Sequence, residues 1–325
     1  MKNKYFEFAN FSIPLIVLLT LLASSAQAKL VTEIIKVPVS VANLYGKTTE
    51  RDVVVTLLHD DAFFKASAKP YPIAIINHGR AAKPEERTTG FGRANSITNA
   101  RWLAGMGFLV AVPTRIGYGV TGGEDLEDTG LCHKKNYPPG YKAGVDQTLQ
   151  VLQTLRQRPD IAPGGGLILG QSFGGTIAIG VAAQNPPGIL ATLNFAGGGG
   201  GNPETHPMQP CGTANLEHMF ATYGKTAKIP TLWVYTENDQ WMGPKYPKEW
   251  FEAYKAKSGT GEFLFLPPNG TDGHGVFSRD PAAWRTQVLQ FMKANGFPDL
   301  KEPKQVNTAS QQSIEFNAKG VEDGK

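Results

Sequence analysis

Cysteine, clustered charge and long apolar runs are all scarce in this sequence. The chain of 325 residues has two cysteines, and charged residues make up 18% of it against 41% hydrophobic residues. The formal net charge is +4, and the lysines and arginines do not cluster, so we expect no nucleic-acid partner. These proportions are typical of a globular protein with a well-filled core, and they exclude a disordered chain.

Signals for metal, phosphate and cofactor binding are also missing. No group of His, Cys and acidic residues has metal-ligand spacing, so we expect no metal and no cofactor. The glycine run 197–201 lacks the following Lys-Ser/Thr of a phosphate loop, and we interpret it as a close-approach turn. Because neither an internal repeat nor a second core is evident, residues 29–300 are predicted to form a single domain.

The one long apolar run, Phe11–Ala23, lies near the N-terminus. Lys2 and Lys4 precede it and Ala26-Gln27-Ala28 follows it, which predicts a cleaved signal peptide over residues 1–28. An uncleaved anchor is the alternative, but the run falls short of the roughly 20 residues that span a bilayer. We therefore expect a secreted or periplasmic protein that keeps no stable membrane anchor.

Cys132 and Cys211 are the only cysteines. In an exported protein an even pair predicts a disulfide, because oxidising compartments preserve such bonds. Two buried free thiols are the alternative.

Hydrophobic patterning predicts alternating strands and helices. Strands are expected at 30–58 (two or three strands), 72–79, 107–113, 167–169, 189–195, 231–235 and 262–266. Helices are expected at 93–106, 144–156, 176–183, 216–223, 246–256 and 281–294. This order indicates an α/β fold with a mostly parallel sheet, helices on both faces and an antiparallel start at one edge. Residues 301–325 are polar and are predicted to be a disordered tail.

A G-x-S-x-G pattern, Gly170-Gln171-Ser172-Phe173-Gly174, lies between a predicted strand and a predicted helix. This setting is that of a nucleophile elbow, in which a serine occupies a strained turn. Side chains at the two flanking glycines would crowd the neighbouring strand or helix. The pattern alone is weak evidence, because a glycine-rich chain produces it by chance.

Two further polar residues follow predicted strands, Asp239 after 231–235 and His274 after 262–266. Functional groups gather at the carboxyl ends of parallel strands, and serine, carboxylate and histidine in this order form a hydrolase triad. His274 would act as the base for Ser172, and Asp239 would orient the imidazole. Taken singly, Ser172, Asp239 and His274 each have an ordinary structural explanation, but their joint setting favours catalysis. Glu237 is an alternative to Asp239 as the acid.

The surroundings of this predicted triad supply candidates for binding. The backbone N–H groups of Phe173 and Arg80 are predicted to form the oxyanion hole, with His78 shaping the loop that carries Arg80. Tyr118, Phe173 and Trp241 are expected on an apolar rim of the substrate pocket. Arg80 or Arg115 is expected to contact an acidic or carbonyl-rich substrate.

Several segments together resemble the α/β-hydrolase superfamily, in its dienelactone-hydrolase-like and prolyl-oligopeptidase-like branch. The segments are His78-Gly79, Arg115-Ile116-Gly117-Tyr118-Gly119, Gly170–Gly175, Glu237-Asn238-Asp239 and Gly273-His274. The resemblance covers about residues 60–296 and implies an eight-stranded sheet, no cofactor and an acyl-enzyme mechanism on esters or amides. True dienelactone hydrolases have a cysteine nucleophile, whereas this chain has Ser172. No large cap domain is expected.

The sequence thus predicts an exported serine hydrolase acting on small-molecule carboxylic esters or lactones. A peptidase or amidase with the same triad is the nearest alternative, and a catalytically silent binding protein on the same fold is a third. The oligomeric state and the substrate stay open.

Overall fold

Eight strands form one sheet, in a computed structural model that describes residues 30–43, 45–61, 69–81, 83–88 and 96–303. The strands are β1 Leu30–Ala42, β2 Thr48–Asp60, β3 Ile73–Asn77, β4 Leu109–Thr114, β5 Gly166–Gln171, β6 Ile189–Phe195, β7 Thr231–Thr236 and β8 Gly261–Leu266. Their order across the sheet is β1-β2-β4-β3-β5-β6-β7-β8. β2 runs antiparallel to β1 and β4, and the pairs from β4 through β8 are parallel. The predicted antiparallel start at one edge is confirmed.

Seven α-helices occur in the described part of the chain. They are α1 Ile97–Gly105, α2 Tyr137–Leu155, α3 Phe173–Gln184, α4 Thr213–Gly224, α5 Tyr246–Lys255, α6 Val276–Arg279 and α7 Arg285–Ala294. Strands β3 to β7 are buried on both faces because their apolar side chains alternate between two helix layers. The layer of α2 to α5 covers one face and that of α1, α6 and α7 covers the other.

The connections between successive parallel strands each carry one α-helix, and no large cap domain is inserted in the ranges described. The architecture predicted from the sequence is therefore confirmed. None of the described helices has both the length and the apolar composition needed to cross a membrane. The predicted signal peptide, 1–28, and residues 304–325 of the predicted tail lie outside the described residues.

Helix α2 differs from the prediction at its start. It begins at Tyr137 rather than near residue 144 and has Pro138 and Pro139 in its first turn. Proline is tolerated there because the first N–H groups of a helix have no intrahelical partner. Tyr137 and Tyr141 are buried, so tertiary packing favours the early start of the helix.

Candidate active site

Ser172 lies in a sharp turn between β5 and α3. Its backbone has φ 56° and ψ −125°, a conformation that is strained for a residue with a side chain. A Cβ on Gly170 would come within 2.3 Å of the Gly174 carbonyl oxygen, and one on Gly174 within 2.1 Å of the Asn77 oxygen. Glycine is therefore required at both positions, and the local geometry is that of a nucleophile elbow.

Asp239 and His274, which follow β7 and β8, are in contact. The His274 Nδ1 atom lies 3.1 and 3.0 Å from the two carboxylate oxygens of Asp239. Asp239 is fully buried, and its Oδ1 atom also accepts the backbone N–H groups of Trp241 at 2.8 Å and Met242 at 2.9 Å. These donors stabilise the carboxylate and hold it in place against the imidazole.

Two further side chains tie the loops of the site together. The Asp272 Oδ1 atom accepts the backbone N–H of His274 at 2.9 Å and that of Gln240 at 3.0 Å. Gln171, adjacent to Ser172, donates through Nε2 to the His274 carbonyl at 2.8 Å. The loops after β5, β7 and β8 are thus joined at one edge of the sheet. Sequence reasoning missed both residues, because such contacts depend on strand order.

The loop after β3 closes the site on the other side of Ser172. A Cβ on Gly79 would lie 3.3 Å from the Ser172 Cβ and 3.9 Å from its Oγ, so this backbone approaches the serine closely. Phe173 is the first residue of α3, where N–H groups lack intrahelical partners. The two chain segments that carry the predicted oxyanion donors, the N–H groups of Phe173 and Arg80, therefore both adjoin Ser172.

His78 is buried, and both of its ring nitrogens are engaged. Nε2 accepts the Arg115 backbone N–H at 3.2 Å, and Nδ1 lies 2.7 Å from the Gly79 carbonyl oxygen, to which it donates in the neutral tautomer. Burial, reinforced by the Arg115 charge, holds the pKa of His78 well below its usual range, although the Gly79 carbonyl opposes this. Its contacts are those of a residue that shapes the loop.

The arginines predicted to contact substrate are paired with carboxylates. Arg115 and Glu127 form an ion pair that is almost completely buried. The expectation that Arg115 contacts substrate is therefore wrong, because its side chain is buried. Arg80 forms a bidentate pair with Asp125 at 2.8 and 2.6 Å, and Arg87 shares that carboxylate. Arg80 retains 28% exposure of its side chain.

The three predicted rim aromatics have different surroundings. Tyr118 is fully buried and donates to Glu127 at 2.8 Å, so its expected position on a rim is wrong; the neighbouring buried carboxylate draws the hydroxyl inward. Phe173 is also buried, so its expected position on the rim is wrong too; its ring is stacked on that of Tyr141, with ring centroids 4.0 Å apart. Trp241 is half-buried and stacks on the His274 imidazole, with ring centroids 5.3 Å apart. Trp241 is thus the aromatic of this set beside the candidate base.

Cys132 and Cys211 form a disulfide with Cα atoms 5.1 Å apart. The predicted pairing is therefore present. The Cys211 Sγ atom lies 3.3 Å from His206 Nε2, and these three residues are the one group of potential metal ligands found within the described ranges. Both sulfurs belong to the bridge, so neither is available as a thiolate.

The loop that holds Cys211 also packs against Trp241, because a Cβ on Gly201 would lie 2.5 Å from the Trp241 oxygen.

No protein-family model and no curated protein matched the sequence. Several solved structures with similar folds are hydrolases. They include the Pyrococcus horikoshii acylaminoacyl peptidase, with TM-score 0.55, 15% identity and coverage of 84% of this chain and 42% of that one. A dienelactone hydrolase-like promiscuous phosphotriesterase from metagenomic libraries has TM-score 0.53, 16% identity and coverage of 81% and 98%. The acetyl xylan esterase from Paenibacillus sp. R4 has TM-score 0.52, 16% identity and coverage of 83% and 88%.

At these identities the likeness concerns the fold. It agrees with the eight-stranded, mostly parallel sheet of this chain. This chain has the α/β-hydrolase fold, in the form found in dienelactone hydrolase-like proteins, esterases and acylaminoacyl peptidases.

Proposed function

We propose that this protein is an exported serine hydrolase that cleaves carboxylic esters or lactones through an acyl-enzyme on Ser172. The observation that carries the proposal is the buried contact between Asp239 and His274 at 3.0 Å, at the sheet edge where Gln171 ties the serine turn to the histidine loop. A positioned imidazole, on a loop that is joined to the turn of a strained serine, supports nucleophilic acyl transfer.

In the proposed reaction, the Ser172 Oγ atom attacks the substrate carbonyl while His274 Nε2 takes its proton. The Asp239 carboxylate stabilises the imidazolium that results. The former carbonyl oxygen becomes negatively charged, and it accepts hydrogen bonds from the N–H groups of Phe173 and Arg80. The proton then passes to the departing alcohol oxygen, which leaves an ester between the acyl group and Ser172.

Water completes the reaction by the same steps. His274 takes a proton from the water as it attacks the acyl-enzyme, and Ser172 regains its proton when the carboxylic acid is released. One ester and one water thus give one acid and one alcohol. We propose Trp241 as a wall of the substrate pocket, because its ring lies against the candidate base.

The proposal extends to the organisation and location of the chain. We propose that residues 29–300 form the hydrolase domain, that 1–28 direct export and are removed, and that 301–325 are a tail. The disulfide between Cys132 and Cys211 supports an oxidising compartment, outside the cell or in the periplasm.

A fluorophosphonate probe tests the proposal directly, since it reacts with serines activated by a base. We expect stoichiometric labelling of the wild-type protein, loss of labelling in Ser172→Ala and retained labelling in Ser278→Ala, a matched control. A folded wild-type protein that stays unlabelled would instead support the catalytically silent alternative.

Turnover of p-nitrophenyl esters, lactones and aminoacyl anilides then defines the reaction. Ester or lactone turnover that vanishes in Ser172→Ala is the expected result. Faster turnover of the anilides than of the esters would replace the esterase proposal with a peptidase or amidase.

A further inference from the structure

A buried ion pair lies directly beneath the loop that follows β3. The Arg115 Nε atom donates to Glu127 Oε1, and Nη2 lies 3.3 Å from Oε2. The two side chains are 1% and 0% exposed. Removing two charges from water is costly, and a hydrophobic pair of similar volume often gives equal or greater stability. Stability alone therefore does not explain why this pair is buried here.

The remaining donors of Arg115 contact the loop itself. Nη1 donates to the His78 carbonyl at 2.8 Å and Nη2 to the Gly79 carbonyl at 3.3 Å. The guanidinium carbon also lies 6.0 Å from the centroid of the Phe173 ring. One side chain thus touches both segments that carry the candidate oxyanion donors. Glu127 is held from its other side by the Tyr118 hydroxyl at 2.8 Å.

The Gly79 carbonyl determines the direction of the next N–H group. It accepts two hydrogen bonds, from His78 Nδ1 at 2.7 Å and from Arg115. The Gly79–Arg80 peptide is trans and planar, so its N–H points opposite to its C=O. With the carbonyl held toward Arg115, the Arg80 N–H is directed away from the buried pair. Gly79 itself lies against Ser172.

We propose that the Arg115–Glu127 pair is a positioning element that fixes the Gly79–Arg80 peptide with its N–H directed at the developing oxyanion. The inference rests on the proposed function. Arg115 supplies the hydrogen bonds, and Glu127 holds the guanidinium in the plane that reaches both carbonyls. Arg115 does not touch substrate; it acts through the backbone of the loop.

The role predicts a specific kinetic defect. A misaligned oxyanion donor weakens binding of the transition state and leaves binding of the ground state almost unchanged, because the oxygen becomes anionic only on attack. Since His78 still holds the Gly79 carbonyl, we expect a partial loss. Displacements of about 1 Å in an active site cost on the order of 10²-fold, so kcat should fall roughly 10- to 100-fold.

The test uses the full-length protein and the double variant Arg115→Met/Glu127→Gln, which removes both charges together. Arg115→Lys is the second variant, because its ammonium group can pair with Glu127 but cannot span the two carbonyls. Arg158→Met is the control: Arg158 pairs with Glu33 and Asp160, next to the amino end of the sheet.

The concentration of active sites is measured by complete labelling with a fluorophosphonate, and kcat is expressed per labelled site. We expect both variants at Arg115 to lose kcat with KM within about threefold of wild type. The inhibition constant of a trifluoromethyl ketone, which forms a tetrahedral adduct with the serine, should rise in proportion to the loss of kcat/KM. Arg158→Met should lower the melting temperature and leave kcat unchanged.

A purely structural role would instead lower the melting temperature and the labelled fraction while kcat per labelled site stayed within about threefold of wild type. That result overturns the inference. If the double variant does not fold, the same measurements on Arg115→Lys test the inference. Failure of the proposed function would appear differently, as wild-type protein that neither reacts with the probe nor hydrolyses esters.

Discussion

Replacing Asp239 with asparagine removes one charge from the candidate site and keeps the shape of the side chain. The asparagine oxygen can still accept the backbone N–H groups that now bind Oδ1, those of Trp241 and Met242. Its amide nitrogen, however, would face His274 Nδ1 as a donor. The imidazole would then carry its proton on Nε2, and a protonated Nε2 cannot take the proton of Ser172.

The distance between the groups gives the size of the effect. A carboxylate oxygen 3.0 Å from the imidazolium nitrogen contributes about 5 kcal/mol when the effective dielectric constant is about 20. Because each 1.36 kcal/mol is tenfold in rate, kcat should fall by roughly 10³- to 10⁴-fold. Asp239 is fully buried, so added salt should change this loss little.

The assay is ester hydrolysis at saturating substrate, with kcat expressed per folded protein. Asp272→Asn is the matched control, because it keeps an oxygen for the N–H groups of His274 and Gln240 and should stay within about threefold of wild type. Glu237→Gln should behave likewise, since Glu237 is exposed. An Asp239→Asn protein that retained a tenth of wild-type kcat would refute the assignment of Asp239 as the orienting acid.

Three further predictions concern stability and binding. Reduction of Cys132–Cys211, which closes a loop over a sequence separation of 79, should lower the free energy of unfolding by up to about 4.5 kcal/mol on the chain-entropy estimate; unchanged urea unfolding in dithiothreitol would contradict this. Burial lowers the pKa of His78 below 6.5 in the folded protein. As the pH falls through about 6.5, this histidine therefore gains a proton in the unfolded chain and not in the folded one. The free energy of unfolding should therefore drop by up to about 1.4 kcal/mol between pH 7.5 and 5.5 on this account, and a His78→Gln variant that shows the same drop would exclude His78 as its source. Trp241→Ala should raise KM for aryl esters about tenfold through loss of an aromatic wall, and an unchanged KM would remove Trp241 from the pocket.

Much of the fold could be predicted from local pattern. The strand 189–195 is identical in prediction and structure, and the other strands agree to within a few residues, because fully buried parallel strands are short apolar runs. The prediction that Ser172 lies in a strand–turn–helix agrees with its backbone conformation, since the two glycines around it admit a turn that other residues would block. Pattern did not locate the start of α2, where burial of Tyr137 outweighs the two prolines that follow it.

The sequence by itself determined the α/β class, the elbow and the order of serine, aspartate and histidine along the chain, because these depend on residues close in sequence. Only the tertiary structure decided which polar side chains meet. Arg115 and Tyr118, expected to face substrate, are buried around Glu127. Burying a charge is tolerated only where a partner is buried with it, and this pairing follows from the way the connection after β4 folds back on itself and packs against the loop after β3. No local pattern encodes it.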